Sequence, residues 1–240
     1  MARRISLTKL VAQRLPDLDD VESAILSGEI RVDGVITTNP RSNVAADASI
    51  VFAPSRSLKG EQKLSAALDA FDTRVALEGR VALDVGASTG GFTTELLNRG
   101  CRKVYAVDVG HGQLRGALRQ DPRVVNLEAT NAADLSTELV PDEIEVVTVD
   151  VSYTPLAVIV PQVTGRLRFT NGAVLLALVK PMFELQLGRL PERADQLDEA
   201  VLRATDGIAG AGWTVEEAIT SPVTGNQGAI EQWVRGRLSR

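Results

Sequence analysis

Residues Val81–Phe92 read V-A-L-D-V-G-A-S-T-G-G-F. An apolar run closes on Asp84, breaks into a turn carrying Gly86, Ser88, Thr89, Gly90 and Gly91, and resumes as a helix-like segment over Phe92–Leu97. A strand that ends in an acid and a glycine turn is the opening of a nucleotide-type binding site. Glycine has no Cβ, so a ligand can approach the backbone closely there. A second predicted strand, Lys103–Val107, ends in Asp108, where a carboxylate accepts hydrogen bonds from a ribose diol.

Two cofactor classes share this plan. A dinucleotide asks for G-x-G-x-x-G with a helix N-terminus aimed at the pyrophosphate. Here Ser88 stands at the second glycine of that pattern, and the acid two residues before Gly86 suits a cationic ligand. S-adenosylmethionine (SAM) carries a sulfonium, an ammonium and a ribose, and it fits the pattern better than a dinucleotide. A glycine turn that only packs a helix on a strand is the plain structural alternative.

The chain has 240 residues, 44% of them hydrophobic, enough for one α/β domain with a small appendage. The lone Cys101 forms no internal disulfide, which fits a reducing cytoplasm. Met1-Ala2-Arg3-Arg4 has the charge of a signal segment, but no apolar stretch follows. The longest apolar run, Ala173–Val179, is too short to cross a bilayer, so a soluble cytoplasmic protein without a membrane partner is expected. A net charge of −5 and a pI of about 5.1 argue mildly against a broad nucleic-acid footprint. The acidic excess lies outside residues 1–64, which hold nine Lys/Arg and eight Asp/Glu.

Residues 1–53 read as a separate module. Ser6–Arg14 and Asp19–Ser27 have helical spacing, with Leu7, Leu10 and Val11, then Val21, Ala24 and Ile25, on the apolar faces. Gly28 ends the second helix, Glu29–Val32 alternates like a strand and turns at Asp33-Gly34, and Ser49–Phe52 closes the module. This order resembles an alpha-L RNA-binding domain. It departs from one in its second helix, where Asp17, Asp19, Asp20 and Glu22 replace basic residues that would face phosphates. Arg3, Arg4, Lys9, Arg14, Arg31 and Arg41 remain as candidate phosphate contacts.

From Lys63 onward predicted strands and helices alternate: Lys63–Phe71, Val81–Asp84, Phe92–Asn98, Lys103–Val107, Leu114–Arg119, Val124–Leu127, Val146–Val149, Leu156–Val163, Ala173–Val179 and a long helix over Glu192–Ala211. Trp213–Val215 and Ile230–Val234 are late strands at one end. Such alternation implies an α/β fold with a mostly parallel sheet and helices on both faces. Ligands bind such sheets beyond the carboxyl ends of the strands. Asp84, Asp108, Asp150 and Lys180 each follow an apolar run directly. A structural ion pair is the bland reading of Asp150 with Lys180; beside a SAM-type turn, catalysis is the favoured one. No His/Cys/acid group has metal-ligand spacing, so no metal is expected. His111 reads as a surface loop residue, and Trp213 and Trp233 read as core.

The segments D-V-G-A-S-T-G-G-F-T, K-V-Y-A-V-D-V-G-H-G-Q-L, D-P-R-V-V-N-L-E-A-T-N-A, V-D-V-S-Y and L-V-K-P-M-F-E together resemble the TlyA family. Its members are ribosomal RNA 2′-O-methyltransferases with an alpha-L module ahead of an FtsJ/RrmJ-type SAM-dependent, Rossmann-like domain. The resemblance implies a small α+β RNA-binding-like module over 1–53, a linker over 54–62 and a methyltransferase domain over 63–240. It carries the family's Lys-Asp-Lys-Glu tetrad onto Lys63, Asp150, Lys180 and Glu231. It carries SAM contacts onto Asp84, Gly86, Ser88, Gly90, Asp108 and Asn131.

Methyl transfer from a sulfonium is an in-line displacement, so positioning dominates. Lys180 is then the base for a ribose hydroxyl, with Lys63 as a neighbouring cation that favours its neutral form, Asp150 as its orienting acid and Glu231 as the residue that positions Lys63 or the hydroxyl. Two departures bear on the acceptor. The S-R-G-G ahead of the first lysine is reduced to Lys59-Gly60, and a G-G-V-V-R-D stretch is replaced by L-G-R-L-P-E-R-A-D after Lys180. The implied partner is ribosomal RNA. A SAM-dependent methyltransferase of the same ancestry acting on a small molecule is the alternative.

Overall fold

The computed structural model describes residues 4–18, 20–26, 28–37, 39–53, 58–71, 75–191, 194–225 and 228–238. The front module comprises β1 (Arg4–Ser6), α1 (Leu7–Arg14), α2 (Val21–Leu26), β2 (Ile30–Val32), β3 (Val35–Ile36), β4 (Asn43–Ala45) and β5 (Ile50–Phe52). The apolar faces expected of both helices bury Leu7, Leu10, Val11, Ala24 and Ile25 against Ile30, Val32 and Ala48, while Val21 packs at the rim. Asp33 and Gly34 have φ of 48° and 83°, the left-handed pair that joins β2 to β3 in a tight hairpin. β5 pairs with the other edge of β2. The pairing of β1 with β4 was not legible in the sequence, because both are three-residue pieces without alternation. Arg3 and Asp19 lie outside the described residues.

The second unit opens on α3 (Lys59–Phe71). The expected linker over 54–62 is therefore helical from Lys59; residues 54–57 lie outside the described residues. The helix starts there because Glu61 Oε2 accepts the Leu58 N–H at 3.1 Å, the returning half of a capping box. There follow β6 (Val81–Val85), α4 (Gly91–Asn98), β7 (Lys103–Val107), α5 (Gly116–Gln120), β8 (Val124–Leu127), β9 (Ile144–Val149), α6 (Leu156–Arg166), β10 (Phe169–Val179), α7 (Pro181–Glu184), α8 (Ala194–Gly210), β11 (Trp213–Thr220) and β12 (Gln232–Leu238). One sheet runs β8-β7-β6-β9-β10-β12-β11. The five strands β8 to β10 are parallel, and β12 inserts antiparallel between β10 and β11.

Alternate residues of β6 feed two cores. Val81, Leu83 and Val85 join the cluster under α6 and α8; Ala82 joins the cluster under α3 and α4. Burial on both faces is why the strand is apolar at every position but Asp84. Trp213 and Trp233 are core, as expected. The chain leaves β6 outward to β7 and β8 and returns on the other side to β9, so a crevice opens beyond the ends of β6 and β9. Among the described residues, no helix is long and apolar enough to cross a membrane.

The module docks on the second unit through α5. Arg115 reaches Glu29 and Arg119 reaches Asp20, each at 2.6 Å. One of the acids that breaks the RNA-binding pattern thus has a partner inside the chain.

Candidate active site

The turn after β6 is shaped by what it touches. A Cβ on Gly86, at φ 88°, would stand 2.3 Å from the Asp150 carbonyl oxygen, so only glycine lets the ends of β6 and β9 meet. The Gly86 and Ala87 N–H groups donate to the Val107 carbonyl at 2.9 and 3.0 Å, fixing the turn against β7. Gly90 is needed for packing: its Cβ would fall 2.1 Å from Leu118 of α5, and it does not line the cavity beyond the turn. Its packing role on α5 is what the structure shows of it.

Asp84 is not at the strand end where the sequence reading put it. The strand continues through Val85, so Asp84 is an interior residue with no exposure, turned to the α4 face. It accepts Oγ1–H of Thr93 at 2.7 Å and of Thr148 at 2.9 Å. Burial pushes its carboxyl up to about 6, against the pull of those two hydroxyls. Asp84 ties β6, α4 and β9 together beneath the turn.

Asp108 does stand at the crevice. Its Oδ2 accepts Ser88 N–H at 2.8 Å and its Oδ1 accepts Gly110 N–H at 2.7 Å. Each oxygen keeps a second lone pair for a diol. Asn131 Oδ1 accepts Ala133 N–H at 2.9 Å, which leaves its amide donors unassigned. Gly86, Ser88, Asp108, Asn131, Gln113, Thr130, Asp150, Ser152 and Tyr153 line a cavity of about 350 Å³. A carboxylate pair-acceptor, an amide and a glycine-floored turn fit a ribose-bearing cation such as SAM.

A second cavity, of about 270 Å³, adjoins the first. Lys180, Glu231, Met182, Phe183, Leu190, Pro191, Ala229 and Ile230 line it, and Ser152 and Tyr153 belong to both. Asp150 lines the first cavity, Lys180 the second, and the two side chains form an ion pair across the boundary. Lys180 Nζ also donates to Ser152 Oγ at 3.4 Å. Lys63 of α3 pairs with Glu231, just before β12, at 2.5 Å. The four tetrad residues therefore stand as two ion pairs. Glu231 balances the charge of Lys63, so Lys63 is not a net cation beside Lys180.

The departures from the family pattern have structural places. Lys59 Nζ donates to the Gly225 carbonyl at 2.8 Å, and a Cβ on Gly225 would lie 2.3 Å from Glu231 Oε1. Lys59 thus pins the turn that covers Glu231. Gly60 packs on Gly91, whose Cβ would meet the Gly60 Cα at 2.8 Å, so α3 and α4 cross closely. Leu190 and Pro191 of the replaced segment form part of the second cavity. Sequence reasoning missed Tyr153, which is 84% exposed at φ 71° with its ring 5.0 Å from that of Phe183. The only signal was its place three residues after Asp150. His111 is exposed, and the described residues contain no group of His, Cys, Asp and Glu that would hold a metal.

Residues 58–234 match the FtsJ-like methyltransferase family. The 16S/23S rRNA (cytidine-2′-O)-methyltransferase TlyA of Mycobacterium tuberculosis is 36% identical over 226 residues, covering 89% of this chain and 82% of that protein. A structure from Streptococcus thermophilus described as a hemolysin superposes with a TM-score of 0.73 at 25% identity, covering 100% of this chain and 90% of the other. Aeropyrum pernix fibrillarin, solved with natively bound S-adenosyl-L-methionine, shares the fold at a TM-score of 0.51 and 16% identity, over 74% of this chain and 76% of its own.

Proposed function

This chain belongs to the FtsJ-like methyltransferase family, and from that membership we propose that it transfers a methyl group from SAM to a ribose 2′-hydroxyl of ribosomal RNA in the cytoplasm. The observation that carries the reading is the Lys180–Asp150 pair, which spans the boundary between a cofactor-shaped cavity and a second, apolar-edged one. Relatives named for ribose methylation of ribosomal RNA support the acceptor class.

SAM supplies an electrophilic methyl on a sulfonium. Asp108 takes the ribose diol, the Gly86–Ser88 turn carries the backbone close to the cofactor, and Asn131 offers its amide. Asp150 faces the cofactor with one side of its carboxylate and orients Lys180 with the other. Lys180 Nζ can take the proton of the attacking hydroxyl only as the neutral amine, so it first gives up the proton it shares with Asp150 and solvent. The Lys63–Glu231 pair holds the wall of the acceptor cavity that Glu231 lines. Tyr153 and Phe183 offer an aromatic edge beside the acceptor. In this reading, residues 1–53 are an RNA-binding module joined to the methyltransferase domain over 63–240. The contact of Asp20 with Arg119 answers part of the objection from the acidic second helix.

Incubation with methyl-labelled SAM and ribosomal subunits lacking the modification tests the proposal. Label in nuclease-sensitive material is the expected result. Label absent from RNA, with SAM still bound by calorimetry, would transfer the reading to a small-molecule acceptor.

A further inference from the structure

Two chain segments wall the acceptor cavity: residues 150–156, after β9, and residues 180–184, after β10. They are joined rung by rung. Asp150 pairs with Lys180, Ser152 Oγ accepts from Lys180, the Tyr153 ring packs on Phe183, and Glu184 Oε1 accepts the Leu156 N–H at 2.8 Å. Three rungs lie at the cavity. The last lies behind it, where Glu184 is only 4% exposed and lines neither cavity.

That last rung fills a gap in the sequence of α6. The helix begins after Pro155, whose side chain has no acceptor, and no N-cap hydrogen bond is made. The first N–H groups of a helix have no partner within it. The Leu156 N–H is instead served from α7, by a carboxylate placed where the helix dipole favours negative charge. Just ahead of this junction Tyr153 is held at φ 71°, a conformation that non-glycine residues adopt only when their surroundings impose it. α7 is itself anchored, since Arg203 of α8 donates to the Glu184 carbonyl at 3.3 Å.

We propose that Glu184 is a positioning residue: by capping α6 from behind the cavity, it sets the register of the 150–156 and 180–184 walls and so holds Lys180 and Tyr153 in place for the acceptor. The inference deepens the methyl-transfer reading and rests on it for its kinetic consequence. What Glu184 must supply is an acceptor for one N–H. Burial pushes its carboxyl up to about 7, against the pull of the Leu156 amide and then Arg203, so an amide of equal size is a close substitute.

Glu184→Gln and Glu184→Met separate acceptor from volume, since both fill the site and only Gln can accept. Hydrogen exchange on the purified full chain reads the cap directly. In Glu184→Met the Leu156 amide should exchange about tenfold faster, the worth of one lost hydrogen bond, while Glu184→Gln keeps its protection. With SAM and RNA, kcat of Glu184→Met should fall about tenfold with SAM affinity within about twofold of wild type, and Glu184→Gln should retain wild-type kcat. Unchanged exchange at Leu156 in Glu184→Met would overturn the cap, as would equal damage from Gln and Met. Failure of the unaltered enzyme to methylate RNA would defeat the functional reading instead, and the exchange result would still decide whether Glu184 joins the two walls.

Discussion

Lys63 and Glu231 are sealed, with side chains 8% and 6% exposed, whereas Lys180 and Asp150 keep 17% and 20%. The sealed pair joins residues 168 apart, linking a helix that precedes the sheet to the residue just before β12. A buried pair pays heavily to leave water and recovers that cost only while both partners stay. It cannot trade one partner for a substrate. The open pair lies on the boundary of two cavities and can. The contrast assigns holding to Lys63–Glu231 and proton handling to Lys180–Asp150 in the proposed reaction.

The largest effect should come from the open pair. Lys180→Ala is expected to lower kcat by about 10²–10⁴-fold while SAM affinity by calorimetry stays near wild type. Thermal stability should change little, because Asp150 keeps a partly exposed carboxylate. The sealed pair should respond the other way. Glu231→Ala leaves Lys63 buried without its partner and should cost about 3–5 kcal/mol in denaturant unfolding. If both substitutions lowered stability equally, the division between holding and working pairs would fail.

Asp84 sharpens the comparison from the cofactor side. Its carboxyl is raised from 3.8 to about 6. The folded chain therefore holds that proton more tightly than the unfolded chain. The associated stability is complete below about pH 4 and is lost as pH rises through 6. Asp84→Asn removes this dependence. Its stability relative to wild type should rise between pH 4 and pH 7 by up to about 3 kcal/mol, read from melts across that range. A flat difference would contradict a buried, protonatable Asp84. The smallest effect belongs to the docking contact: Arg115→Ala should cost about 1 kcal/mol or less, since a partly exposed ion pair contributes little.

The strand ends show what the sequence could and could not disclose. The apolar runs located β6, β7, β9 and β10 to within a few residues, and Asp108, Asp150 and Lys180 follow their strands as expected. Asp84 was misread by one position. Val85 continues the ladder, and in a strand a one-residue step moves a side chain to the other face. At Gly90 the glycine turn signalled close approach without saying of what; one such neighbour is Leu118. Glu231 was reachable only through a family resemblance, since no local spacing links it to Lys63. Tyr153 and Glu184 gained their places from the pairing of two segments almost thirty residues apart, which periodicity does not record. Asp20, one of the acids that break the RNA-binding pattern, lies just before α2 and is a docking contact.

The measurement that bears most directly on the account is mass spectrometry of nucleosides from ribosomal RNA methylated by the wild-type chain and by Lys180→Ala. The account predicts a ribose-methylated nucleoside from the wild type and none from the variant, with SAM bound equally by both. A methyl group on a base, or a variant that methylates ribose at the wild-type rate, would contradict it.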